Sequence, residues 1–179
     1  MGEGNLGRRA LAAAASVAAA LPAVAAPAPA PLVPELPIVA PQLDFIWEAI
    51  VDIAPTMMLG DGPTGERRMV PITGGAFAGP RLRGKVLAGG ADRQLFRKDG
   101  VRRLDALYEL QTDDGAVITV RNQVVVAPVN GAPDYRFSTI EVTAPEGPHA
   151  WLNRLAFVGT LTSLRPQRQA VLVRVFALG

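Results

Sequence analysis

The sequence predicts an all-β protein: a single antiparallel β-barrel of roughly nine strands, with few or no helices. Two observations carry this. From Leu43 onward apolar and polar residues alternate with period two, and the runs are punctuated by Gly, Pro and Asp. Stripes at i, i+3 and i+4 are hard to find, and no uninterrupted segment has the length of an ordinary helix. Closure follows from economy, because roughly nine strands in about 135 residues leave little chain to cover exposed sheet edges.

Hydrophobic residues make up 49% of the chain and charged residues 19%, a globular composition rather than a disordered one. The formal net charge is +2, and without residues 1–25 it falls to +1, since Arg8, Arg9 and Glu3 go with them. A near-neutral surface makes no electrostatic case for nucleic acid or for an anionic membrane. There is no cysteine, which excludes disulfides, thiolate nucleophiles, Cys-ligated zinc, iron–sulfur clusters and lipoprotein acylation.

Residues 1–25 read as a signal peptide and not as fold. Arg8-Arg9 precedes Ala10–Ala20, a run almost wholly of Ala, Leu and Val, and Pro22 breaks it before Ala23-Val24-Ala25. The arginine pair ahead of a weakly hydrophobic core is twin-arginine-like, although Gly7 and Ala10-Leu11 depart from the usual flanks. A membrane anchor is the competing reading, since no charge occurs from Ala10 to Pro34; four prolines interrupt that stretch, and alanine contributes little to insertion. Membrane contact is therefore expected only transiently, and the mature protein in the periplasm or secreted. Mass spectrometry of the exported protein should show a chain starting at Ala26; an intact Met1 would overturn the assignment. Residues 26–41 carry six prolines and form a Pro/Ala-rich linker, leaving 42–179 as the barrel domain.

Within the domain the strand expectations are Leu43–Ile53, Arg67–Ile72, Gly79–Leu87, Arg93–Arg97, Leu104–Thr112, Ala116–Val126, Arg136–Thr143, Leu155–Leu161 and Ala170–Leu178. The hairpin at Asp113-Asp114-Gly115 can be worked in detail. A two-residue turn would pair Tyr108 with Arg121 and mix polar and apolar residues on both faces. A three-residue loop with Gly115 in the left-handed region pairs Thr112 with Ala116, Leu110 with Ile118 and Tyr108 with Val120. One face then carries Leu104, Ala106, Tyr108, Leu110, Ile118 and Val120; the other carries Asp105, Glu109, Gln111, Thr119, Arg121 and Gln123. Register follows burial of one face, so the three-residue loop is expected. Whether the polar face meets solvent or a wet cavity is left open by the pattern.

Several segments are familiar in combination: Gly74-Gly75-Ala76-Phe77-Ala78-Gly79-Pro80-Arg81-Leu82-Arg83-Gly84, Gly89-Gly90-Ala91-Asp92-Arg93-Gln94, Leu104-Asp105-Ala106-Leu107-Tyr108, Thr112-Asp113-Asp114-Gly115-Ala116 and Trp151-Leu152-Asn153. In this order and spacing, from about Leu43 to Leu178, the chain resembles the small β-barrel family named domain of unknown function 3237. The resemblance implies an antiparallel barrel without an established general activity. Arg93 stands where the family commonly has an aromatic residue, and Val124 continues a strand where it commonly has Gly.

The glycines surround strands, with no helix behind them, so they read as turns and barrel corners and not as a phosphate cradle. His149, the only histidine, lies in a loop ahead of Trp151, and neither Ser138 nor Ser163 sits in a nucleophile elbow; no triad, metal site or cofactor is expected. The carboxylates are more informative. Asp92 shares a strand face with Gln94, and Asp105 begins the polar face of the next strand; two carboxylates near one barrel mouth would raise the pKa of one and make a general base. Turn capping and a salt bridge are the bland reading of the same pair. Arg121, or Tyr108 and Asn122 if the other face lines the cavity, are candidates to hold a substrate. Trp151 and Asn153 follow Pro148 in an irregular stretch; Trp151 reads first as a plug of one barrel end, and the competing reading makes both residues candidates for a pocket wall.

The functional expectation is an exported enzyme without a cofactor, of isomerase, lyase or cyclase type, acting by proton transfer on a small carbonyl or aromatic compound. The alternative is a periplasmic barrel that binds a small molecule without chemistry, with a filled structural core as the third reading. The expected partner is a small molecule, and homo-oligomerisation is left open.

Overall fold

The computed structural model describes residues 30–179, so the expected signal peptide, residues 1–25, lies outside the described residues. Residues 30–39 fall outside the barrel unit and contain no strand; there the Leu36 N–H donates to the Val33 carbonyl at 2.9 Å. The unit from Ala40 to Gly179 contains ten strands: β1 (Leu43–Ile53), β2 (Met57–Gly62), β3 (Gly65–Ala78), β4 (Arg83–Val86), β5 (Ala91–Arg97), β6 (Arg102–Thr112), β7 (Val117–Val129), β8 (Ala132–Thr143), β9 (Phe157–Ser163) and β10 (Ala170–Leu178). A single turn of 3₁₀ helix, Ala150–Arg154, precedes β9.

All pairings are antiparallel, and the ring closes where β1 bonds both β10 and β3. Eight positions make the barrel. One of them is shared, since β5 pairs with the first half of β3 and the start of β6, whereas β4 pairs with the second half of β3 and the end of β6. The remaining strand, β2, follows Pro55 and pairs only with the first half of β3. Its run Met57-Met58-Leu59-Gly60 has no alternation, because β2 is mostly exposed; that is why the period-two pattern does not show it.

Expected and observed bounds coincide for β1 and β10. The largest difference is β3, which continues from Ile72 through Gly74-Gly75 to Ala78, so these glycines lie inside a strand and not at a turn. In the other direction, Gly79–Leu87 shortens to β4, because the Gly79 N–H donates to the Leu82 carbonyl and closes a turn first.

The β6–β7 hairpin has the three-residue loop. Tyr108 faces Val120, Leu110 faces Ile118, and the Thr112 N–H donates to the Ala116 carbonyl at 2.9 Å. Gly115 has φ +90°, where side chains are strained even with open space around them, and an added Cβ there would meet nothing within 4 Å. Gly115→Val should therefore lower stability through the backbone alone, by about 1–3 kcal/mol. A denaturant midpoint equal to that of the unmodified protein would reject this.

Asp114 of the same loop accepts hydrogen bonds from the Thr112 hydroxyl and lies 2.9 Å from Nε2 of His149. These contacts, Thr112 first, hold its carboxyl below the ordinary carboxylate range. His149 thus has a structural role that a loop position does not suggest: it is buried and pins the β6–β7 turn to the segment leading into the 3₁₀ turn.

The apolar hairpin face points inward. Trp47, Leu110, Ile118, Val120, Val175 and Leu152 are all fully buried and belong to one core cluster. Leu152, from the 3₁₀ turn between the end of β8 and the start of β9, closes that end of the barrel.

Candidate functional site

Away from the Leu152 end, the barrel holds a cavity of about 280 Å³. Its walls are inward residues of β1, β3 and β5 to β10, with Val, Leu and Ile the commonest types. Two polar side chains, Asp92 and Asn122, interrupt this lining at one depth. Asp92 on β5 faces Ala106 on β6, and Ala106 faces Asn122 on β7. The small methyl of Ala106 leaves the space between the carboxylate and the amide open. Tyr108 lies two residues further along β6 on the same face, toward the closed end.

Asp92 is held by two donors. Nε2 of Gln94 donates to one carboxylate oxygen at 2.5 Å, and the backbone N–H of Asp105 donates to the other at 3.0 Å. Withdrawal from water pushes the Asp92 carboxyl above the ordinary carboxylate range, and the two donors only partly oppose this. Tyr108 is pushed up by burial as well, so its phenol stays protonated at neutral pH. The Tyr108 hydroxyl and Oδ1 of Asn122 are buried with no protein partner among the described residues. Buried polar atoms are normally satisfied, so two orphans lining one cavity mark where a ligand's polar groups would be received.

Gly90 makes the position of Tyr108 attainable. A Cβ at Gly90 would fall 2.7 Å from the Cβ of Tyr108 and 2.6 Å from the Leu107 carbonyl oxygen. The Gly89-Gly90 turn is also tied down, since the Ile72 N–H donates to the Gly90 carbonyl at 2.8 Å.

The structure gathers Asp92, Gln94, Tyr108 and Asn122 at the cavity and places the other four expected residues elsewhere. Asp105 and Arg121 are a correction: both point outward, where Arg121 donates to the two oxygens of Asp105 at 2.9 and 2.8 Å. That pairing, with the Arg121 charge, lowers the Asp105 pKa, so Asp105 is not the base; its charge adds only the smallest push to the raised pKa of Asp92. Alternation decides this, because burial of Tyr108 and Leu110 turns the odd-numbered β6 residues out. What Asp105 contributes to the site is its backbone N–H.

Trp151 and Asn153 are a second correction. Both lie on the 3₁₀ turn, and neither lines the cavity. Asn153 accepts from the Ala144 N–H at 2.8 Å and donates to the Ala144 carbonyl at 2.9 Å, which clamps the turn to the end of β8. Trp151 packs on the core from outside and stacks under the Arg81 guanidinium, 3.8 Å from its ring centroid.

Beyond the expected residues, the cavity is lined toward its mouth by Arg68, Phe96, Arg102, Arg136 and Arg165. A signal for three of them exists in the sequence. Arg68 shares a face with Val70 and Ile72, Arg102 with Leu104 and Ala106, and Arg136 with Ser138 and Ile140. An arginine that ends an otherwise inward-facing series marks a barrel rim.

Fold and site together define a class: a small closed antiparallel barrel with polar groups set into an apolar internal cavity. The chain belongs to the family described as "Protein of unknown function (DUF3237)", whose model matches residues 41–178. A UPF0311 protein of Rhodopseudomonas palustris is 40% identical over 78 residues, 44% of this chain and 51% of that protein. The aligned region thus spans about half the length of the first curated relatives. A hydroalkoxylation enzyme, phnH, of Penicillium herquei is 30% identical over 124 residues, 69% of this chain and 76% of that enzyme. Among solved structures, a β-barrel-like protein of Acinetobacter baumannii superposes with a TM-score of 0.71 at 30% identity, covering 80% of this chain and 99% of that one.

Proposed function

We propose that this barrel is an enzyme working by proton transfer with its own side chains, Asp92 as general base and the Tyr108 hydroxyl and Asn122 amide as the groups that receive the substrate's polar atoms. The observation that carries the reading is the carboxylate set into an apolar cavity beside two unpartnered polar atoms. A base withdrawn from water is stronger than an exposed carboxylate, and the Gln94 and Asp105 donors fix its direction without neutralising it.

The relative from Penicillium herquei suggests the reaction type. In hydroalkoxylation an O–H adds across a carbon–carbon double bond: the O–H bond and the alkene π bond break, one C–O and one C–H bond form, and no external oxidant or reductant is consumed. Such a step asks for a group that takes a proton from oxygen and a group that returns one to carbon, which Asp92 and its own conjugate acid can supply. A phenol bearing a neighbouring alkenyl chain is the substrate type this chemistry fits, in agreement with an apolar cavity of this size.

Incubation in D₂O with a panel of ortho-alkenyl phenols tests the proposal. The expected product is a cyclic ether with one carbon-bound deuterium, seen by mass spectrometry. Binding of these phenols without product or deuterium uptake would favour the second reading, a small-molecule-binding barrel without chemistry. The apolar majority of the cavity wall is what supports that alternative.

A further inference from the structure

The mouth of the cavity carries a charge pattern that proton transfer at Asp92 does not use. Four guanidinium groups line it, from Arg68, Arg102, Arg136 and Arg165, each on a different segment of the barrel. Among the described residues only two carboxylates pair with them: Glu66 with Arg68, and Asp134, shared by Arg102 and Arg136 at 3.2 Å each. The Arg165 guanidinium has no ion-pair partner among the described residues, although its backbone N–H donates to Ser163 at 3.3 Å. The rim thus keeps a surplus of two positive charges on a domain whose overall charge is near neutral. An aromatic wall completes it, because Phe96 lies 3.7 Å under the Arg68 guanidinium and 5.7 Å from that of Arg102.

We infer that the substrate of this cavity is an amphipathic organic acid, an apolar and flat body bearing a carboxylate that the arginine rim receives. The inference rests on the proposed ligand-binding role of the cavity and adds to it the class of ligand. Arginine forks match a carboxylate with two parallel hydrogen bonds, and low-dielectric walls strengthen the attraction. The geometry sets the length. Arg102 precedes Ala106, which faces Asp92, by four residues, about 13 Å along the strand, less the reach of an arginine side chain. The acid therefore sits at one end of the molecule and the reacting group at the other, next to Asp92. A positive mouth also attracts an anion to the rim and keeps its charge away from that of Asp92.

The matched probes naphthoate and naphthamide separate charge from shape. Calorimetric titration of the full chain should show naphthoate bound at least about tenfold more tightly than the amide, the scale of one charged hydrogen-bonded pair. Arg165→Met should erase most of that preference while leaving naphthamide affinity and Tm unchanged, and Arg136→Met should reduce it independently. Asp92→Asn should keep the preference. Equal affinity for the two probes would overturn the inference and leave the cavity's ligand-binding role standing. Preference that survives both arginine substitutions would overturn it too, by placing the acid elsewhere on the surface. Binding of neither probe would overturn the inference together with the reading of the cavity on which it rests.

Discussion

Replacing Asp92 with Asn is expected to cut turnover by roughly 10²–10⁴, the usual contribution of a general base, while ligand affinity and folding survive. The amide keeps the shape and can still accept from the Asp105 N–H, and the Gln94 amide can turn to offer its oxygen. What disappears is the proton acceptor. The pH dependence supports the distinction. Activity that needs ionised Asp92 is lost as pH falls through its raised pKa, so the acidic limb of kcat/KM should lie above the ordinary carboxylate range. Stability runs the other way. For a carboxyl whose folded pKa is raised, the stabilising contribution is present below the unfolded value and is lost as pH rises through the folded one. At neutral pH the charged group is thus the less comfortable one, and Asp92→Asn should be no less stable than the unmodified protein. A turn-capping or ion-paired carboxylate predicts the reverse, a lower Tm with no selective loss of turnover. Measuring Tm, probe affinity and product formation on one purified variant decides between them.

The largest stability effect is expected at Trp47. Its indole is fully buried on β1 and packs tilted against Phe157 at 6.0 Å between ring centroids. Trp47→Ala should cost about 3–5 kcal/mol, because the lost contact area and the cavity left behind both count. Against a typical net stability of about 5–15 kcal/mol, that is enough to bring the barrel near its unfolding threshold. The buried indole N–H has no protein partner among the described residues, so Trp47→Phe removes an unsatisfied donor and most of the loss should be recovered. Thermal or urea denaturation of the two variants checks this; equal losses would assign the effect to the N–H and not to packing.

Alternation of apolar and polar residues was sufficient by itself to determine an antiparallel all-β chain, the bounds of β1 and β10, and the three-residue loop at Asp113-Asp114-Gly115. The reason is local: period two and a left-handed glycine restrict what neighbouring residues can do, whatever the rest of the chain does. Asp92 and Gln94 were legible as a pair for the same reason, being two residues apart on one strand face. Which face looks inward was not local. Only closure of the sheet, with Leu152 and Trp47 filling one end, turned Tyr108 and Asn122 into the cavity and sent Asp105 and Arg121 to the surface. The strand β2 pairs locally with β3 and leaves no period to read because it is mostly exposed, whereas the passage of β3 through Gly74-Gly75 depends on pairing with β1, which is distant in the chain. The arginine rim was decided in the same way. Arg68, Arg102, Arg136 and Arg165 are separated by 97 residues from first to last and become one feature because four barrel segments end at the same mouth.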